Sequence, residues 1–545
     1  MSDLSIGRTR RERAWLWRWI AFATVLTIAP NVVAVALAPT GTAFLGSLLN
    51  TDDTAQFLAA MRQGAEGKWL YRNPFTSEDS LPVVMYPLYI VWGKLTGWLG
   101  RPLLAYHGLR LLGMLLLLAV LERLARALLT GRAHKPLYQT AFLLAAFSSG
   151  LSWLAAFLPQ DISTRYMADL TLMELTTFQT YYVVPNFAWG LMFQLLTFLC
   201  YLRAVEAGTQ GRAFSLWALA GGMACLALGL IFPFALVIVY AVLGVTALFA
   251  VVTRQEGAKV ALWSAVLILA PPAALVAYYA RVFLFDPMWS ATHMVGNIIG
   301  SPPVLASLAG YGLVWALAVA GAAWALRDGR WRDRRLSFAL VWAAVNGLLI
   351  YAPVPFQGRF GLGLHTALSM LAAPGLAWLV RRLPPARANR RRNIVLILTV
   401  PSTMLIVLAG PYMAIAQGTF PFYLPREELQ AVDWLAQNVG EQDAVLASYA
   451  IGNVVPTRAP CRVFVGHQFG TYRLDAKLRM VDAFFAVETP DLDRQALLRD
   501  YELTFVYYGS IERGKGGFDP AGAPYLERVY RENEVDIYRV RSDAP

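Results

Sequence analysis

Two adjacent carboxylates, Asp52 and Asp53, follow the first hydrophobic block in the run Thr51-Asp52-Asp53-Thr54-Ala55-Gln56-Phe57. An ionised carboxylate at the rim of an apolar slab can take a proton from a hydroxyl, which is general-base chemistry. Asp53 and Phe57 stand four residues apart, so on a helix they share a face. The same residues have a purely structural use: Thr51 or Asp52 can cap a helix by accepting its unpaired N–H groups, and the helix dipole favours Asp53 in the first turn. Further along, Asp161, Arg165, Asp169 and Glu174 gather ahead of Thr177-Phe178-Gln179 and Pro185-Asn186-Phe187. Asp169 and Glu174 read either as solvated loop acids or as groups that orient an acceptor or hold a divalent cation (Mg or Mn), which takes hard oxygen ligands. Gln357 and Arg359 precede a span that contains His365. A guanidinium binds phosphate as a bidentate fork; simple anchoring to lipid headgroups is the plainer use of Arg359. His107 and Arg110 offer either a further phosphate contact or a buried pair. Asp286, His293 and Asn297 form a third polar stretch to which the sequence assigns no role. In the tail, Gly466-His467-x-x-Gly470-Thr471 and Glu512-Arg513 read as turns and structural contacts. The chain contains no phosphate-binding glycine loop, no paired-cysteine metal spacing and no His-Glu-x-x-His.

What must position these groups is mostly apolar helix. Of 545 residues, 57% are hydrophobic and 15% charged, against about 45–50% and 25% in a soluble chain. The apolar residues come in blocks of bilayer length, about 20 residues, at 15–38, 103–129, 138–157, 185–204, 214–232, 234–253, 259–281, 303–326, 336–352, 361–380 and 393–415. The expected fold is a polytopic α-helical membrane protein of about eleven transmembrane helices, with the first block retained rather than cleaved as a signal peptide. The net charge of +12 lies in short loops between blocks, where it sets topology, so a nucleic-acid partner is not expected. Arg8, Arg10, Arg11 and Arg13, then Arg123, Arg126, Arg132 and Lys135, then the arginines at 327–335 and 381–392, all fall on one face when residues 83–99 form an interfacial helix. That arrangement predicts a cytoplasmic N-terminus and outward segments at 39–102, 158–184, 282–302, 353–360 and from 416 onward. In the tail, an amphipathic helix over 425–438 is followed by short apolar runs at 444–447, 462–465, 504–508 and 535–540, alternating with helical stretches at 475–485 and 491–500. Alternation of that kind predicts a small extracytoplasmic α/β domain, 416–545, on a membrane domain, 1–415. Cys200, Cys225 and Cys461 make no disulfide framework.

The order of a cytoplasmic N-terminus, one span, a large outer loop opening with Asp-x-x-x-aromatic, an interfacial helix and many further spans resembles the GT-C superfamily of integral-membrane glycosyltransferases. Asp53-x-x-x-Phe57-Leu58-Ala59, with Glu66-Gly67-x-Trp69-Leu70 after it, is similar to bacterial members, as is Asp169-x-x-x-x-Glu174 followed by Thr177-Phe178. The resemblance implies a bacterial plasma-membrane enzyme that moves a sugar from a polyprenyl-phosphate carrier to an acceptor on the outer face, by an inverting displacement. It implies Asp53 as the base, with Asp52 as the alternative, and Arg359, Arg110, His107 and Gln357 toward the donor phosphate. Where the pattern carries a histidine this chain has Asn186, which cannot serve as a base. Partners are then the lipid-linked sugar, membrane lipids and an acceptor whose nature the sequence does not reveal.

Two other readings have a physical basis. A transporter or lipid flippase shares the span count, but ion-coupled carriers hold ionisable groups near the bilayer midplane at about 2.5–3.5 kcal/mol or more each. The middles of these spans carry essentially no Asp or Glu, and Glu122 lies toward a helix end. A scaffold that has lost activity is the third reading, kept open by Asn186.

Overall fold

The computed structural model describes residues 9–129, 135–159, 167–294, 296 and 298–541. Asp161, Arg165, Asn297, Arg8 and Arg132 lie outside them, as does the side chain of His293. The eleven apolar blocks expected from the sequence are each largely helical. Among the described residues, eight helical segments are long and apolar enough to cross a bilayer: Arg10–Ala36, Pro102–Leu129, Pro185–Thr209, Phe234–Val252, Ala258–Phe285, Val304–Arg327, Gln357–Val380 and Pro385–Gln417. The other three, Lys135–Phe147, Ser215–Ile231 and Arg334–Leu349, have 13, 17 and 16 residues. The chain is a multi-pass helical membrane protein. The segment expected at the interface forms a ten-residue helix, Pro87–Thr96, too short to cross.

The chain forms two compact units. One comprises Met1–Ile28, His107–Tyr279 and Ile298–Ala409; the other comprises Ala29–Tyr106, Ala280–Asn297 and Gly410–Pro545. In the first, the buried His365 ties Thr177 to Ser148. His365 Nδ1 accepts the Thr177 N–H at 3.3 Å, and its Nε2 lies 3.1 Å from Ser148 Oγ.

In the second unit, the tail builds a five-stranded sheet in the order Arg462–Val463, Ala444–Leu446, Phe505–Tyr508, Val535–Val540, Leu526–Glu532. The first three strands run parallel and the last two join antiparallel. Period-two alternation divides its side chains between two cores. Val445, Phe505 and Tyr507 pack on one face with Leu429, Val432 and Leu435 of the helix Arg426–Asn438. Ala444, Leu446, Val506 and Tyr508 pack on the other with Val481, Phe484 and Phe485 of the helix Leu474–Phe485. A second, two-stranded pairing joins Thr42–Phe44 to Tyr423–Pro425, so the segment after the first long helix and the start of the tail share a sheet.

Candidate functional site

The first-loop carboxylates sit at the start of the helix Thr51–Ala65. Neither Thr51 nor Asp52 caps it, as one sequence reading had it. Asn50 occupies the cap position in a left-handed conformation and makes no side-chain cap; its amide Nδ2 instead donates to Asp53 Oδ2 at 2.5 Å. Asp52 and Asp53 thus lie in the first turn, where exposed N–H dipoles favour negative charge, and both side chains are left for tertiary partners.

Those partners come from the tail. Tyr449 Oη donates to Asp52 Oδ2 at 2.5 Å, and burial, with the Asp52 charge beside it, raises the Tyr449 phenol well above its ordinary value. His467 Nε2 stands 3.1 Å from Asp53 Oδ1. Asp53 keeps 29% of its side chain exposed while His467 keeps 1%, so the acid is open to an incoming group and the histidine is not. The loop carrying His467 docks on first-loop residues: Asn73 Nδ2 donates to the Gly470 carbonyl at 2.7 Å, and Thr471 Oγ1 to the Phe75 carbonyl at 2.8 Å. Just beyond, the buried Lys477 ammonium pairs with Glu78 at 2.5 Å and donates to Thr76 and Ser77. Burial pulls that lysine down to about 8.

The Asp-x-x-x-aromatic phrase resolves into two jobs. Phe57 is buried and stacks on Tyr89 of the helix Pro87–Thr96, with ring centroids 4.2 Å apart. The two helices touch backbone to backbone: a Cβ at Gly64 would lie 2.1 Å from the Ile90 carbonyl oxygen, and one at Gly93 2.0 Å from that of Met61. The helix Pro87–Thr96 therefore clamps the helix that bears Asp53. Trp289, buried, donates its indole N–H to the Leu81 carbonyl at 3.0 Å, and Asp286 caps the turn that presents it. This gives the third polar stretch a structural role.

The remaining candidates lie in the other unit. Glu174 is buried and pairs with Arg359 at 2.5 Å, with side chains 1% and 14% exposed. Asp169 is fully buried; its Oδ2 accepts the Gly150 N–H at 2.7 Å, and burial pushes it up to about 6. Neither is a solvated loop acid. As a cation site they do not fit: one carboxylate is committed to a guanidinium and the other to a backbone amide. Among the described residues no three His, Cys, Asp or Glu side chains converge on a metal position. Arg110 is buried and donates to the backbone carbonyls of Tyr182 and Thr27 at 2.9 and 3.1 Å. His107 and Gln357 are partly buried, and Asn186 opens the helix Pro185–Thr209. In the tail, Glu512 accepts the backbone N–H groups of Ser448 and Gly509, the structural use expected of it.

Sequence reasoning missed Tyr449 altogether and read His467 as part of a turn. For His467 a signal existed: one of only five histidines in the chain, set between glycines. Tyr449 carries none, because its partner is 397 positions away.

No family model matches the sequence, and no curated protein does. Solved structures do match. The chain is similar to the oligosaccharyltransferase of Archaeoglobus fulgidus tethered with an acceptor peptide, at 14% identity and a TM-score of 0.49 over 90% of this chain and 69% of that one. It is similar to the AglB oligosaccharyltransferase of the same organism in complex with an inhibitory peptide and a dolichol-phosphate, at 14% identity and a TM-score of 0.48 over 96% and 75%. It is also similar to ArnT from Cupriavidus metallidurans bound to undecaprenyl phosphate, at 12% identity and a TM-score of 0.49 over 96% of this chain and 98% of that one.

Proposed function

We propose that this protein is a GT-C membrane glycosyltransferase that moves a sugar from a polyprenyl-phosphate carrier to an acceptor hydroxyl on the outer face of a bacterial plasma membrane. One observation carries the reading: Asp53 is a partly open carboxylate in the first turn of a helix, gripped by side chains of a separate segment, in a chain of bilayer-length helices. The acceptor oxygen attacks the anomeric carbon and passes its proton to Asp53; the new C–O bond forms as the bond to phosphate oxygen breaks, and the polyprenyl phosphate leaves with the electron pair. Attack opposite the leaving group inverts the anomeric centre. General-base help of this kind contributes roughly a hundred- to ten-thousand-fold. Asp53 is preferred to Asp52 because it is the aspartate of the Asp-x-x-x-aromatic phrase that ends at Phe57.

Toward the donor phosphate we assign Arg359, held by Glu174. Arg110 is already spent on backbone carbonyls. No step is routed through a metal ion. Residues 1–415 are the membrane portion with a cytoplasmic N-terminus; the tail from 416 is extracytoplasmic and shapes access of the acceptor.

The test is release of polyprenyl phosphate from synthetic polyprenyl-phosphate hexoses and pentoses, in membranes that retain their native acceptors. Asp53→Asn should lose at least about a hundredfold in turnover, and Asp52→Asn much less. Full activity of Asp53→Asn overturns the assignment. Solute uptake by reconstituted vesicles without any sugar transfer would replace it with a carrier.

A further inference from the structure

We infer that His467 is the positioning residue for Asp53, a neutral imidazole that holds the carboxylate by its Nε2–H and takes no proton itself; the inference rests on the reading of Asp53 as the base. The two ring nitrogens settle the protonation state. His467 Nδ1 accepts the backbone N–H of Phe469 at 3.2 Å, so that nitrogen is bare. An imidazolium would set one N–H against another. The proton of the neutral ring therefore sits on Nε2, the atom 3.1 Å from Asp53 Oδ1, and which nitrogen carries it follows from what the other accepts.

The ring has no room to turn. It is buried between the Phe75 and Phe469 rings, with centroids 5.7 and 5.9 Å away. Its carbonyl accepts the N–H groups of Gly470 and Thr471 at 3.0 and 2.9 Å, and Thr471 Oγ1 accepts the Gly466 N–H at 3.0 Å. Glycine is needed at both ends of this loop: a Cβ at 466 or 470 would come within 2.9 Å of Phe75. A histidine fixed this firmly does one thing to its acid. It fixes the plane of the carboxylate from Oδ1, while Asn50 holds Oδ2. A neutral imidazole donates to Asp53 without handing it a proton, so the carboxylate remains able to receive one. A proton relay through the imidazole is ruled out by the same geometry, because its far nitrogen faces a donor rather than an acceptor.

The experiment pairs spectroscopy with kinetics. In protein labelled with ¹⁵N only at its five histidines, the resonances lost in His467→Gln identify the ring. The expected result at neutral pH is a bare Nδ1 and a protonated Nε2; an Nδ1–H tautomer or an imidazolium overturns the inference without reference to activity. In the polyprenyl-phosphate assay, His467→Leu should lower turnover roughly 10–100-fold, as loss of an orienting partner does, with KM for the lipid donor little changed. His467→Gln, whose amide N–H replaces the ring donor, should recover most of it, and His467→Leu added to Asp53→Asn should cost nothing more. Loss of transfer in Asp53→Asn with full transfer in His467→Leu sinks the role of His467 alone. Full transfer in Asp53→Asn sinks the base assignment and this role together.

Discussion

At Asp169 the fold and the charge oppose each other. Burial raises its carboxyl from 3.8 to about 6, so the folded chain holds the proton over a range where the unfolded chain has released it. Stability then falls as pH rises from about 4 to 6 and is level above that. Asp169→Asn keeps an oxygen for the Gly150 N–H and removes the charge. The gain in melting temperature of this variant over the parent should be small at pH 4 and largest at pH 7.5. A gain that does not grow with pH would show that the charge is compensated. Glu174 and Arg359 form a buried ion pair. Removing one partner of such a buried pair strands the other, typically at about 3–5 kcal/mol. Arg359→Met should therefore destabilise strongly in thermal unfolding, and Glu174→Gln added to it should restore part of the loss. Simple additivity of the two changes would show that the pair is not coupled.

Among the elements, the contact between Thr51–Ala65 and Pro87–Thr96 is the one that fixes where the candidate base stands. Gly93→Ala would drive a methyl to 2.0 Å from the Met61 carbonyl oxygen, so the helices must separate. Overpacking of this kind costs about 1–3 kcal/mol. The variant should show faster hydrogen exchange over residues 51–65 and reduced transfer; unchanged exchange there would mean that the interfacial helix does not hold the base helix. These helices were legible in the sequence because their apolar residues recur at helical spacing, and so were four of the five tail strands. What escaped had physical causes. Leu526–Glu532 is an edge strand of sequence Leu-Glu-Arg-Val-Tyr-Arg-Glu whose polar side chains face outward, leaving no apolar run to read. Tyr449–Arg458 carries Pro456 inside it, which breaks the usual pattern. The pairing of Thr42–Phe44 with Tyr423–Pro425 is three residues long and joins segments far apart in the chain, so no local signal specifies it. Asp53 drew attention through the Asp-x-x-x-aromatic phrase alone; its partner His467 did not, since Asp53–His467 is a contact across 414 positions.

For the molecule as a whole, the decisive question is which face of the membrane carries Asp53, and it can be measured. Arginines crowd the short connections at 327–335 and 381–392, and positive charge of this kind accumulates in cytoplasmic loops. The stretch that follows Asp53 instead exposes Trp69, with Lys94 over its ring at 4.4 Å, an aromatic and cationic mixture found at membrane interfaces. All three native cysteines are free and buried, so the parent protein should react poorly with a membrane-impermeant maleimide and give a clean background. Trp69→Cys should label on intact cells, and Arg330→Cys only after the membrane is opened. Labelling in the reverse order would put Asp53 on the cytoplasmic face. Sugar transfer to an outer-face acceptor would then be impossible whatever the chemistry of the site, because a base on the inner face cannot deprotonate a hydroxyl on the other side of a bilayer.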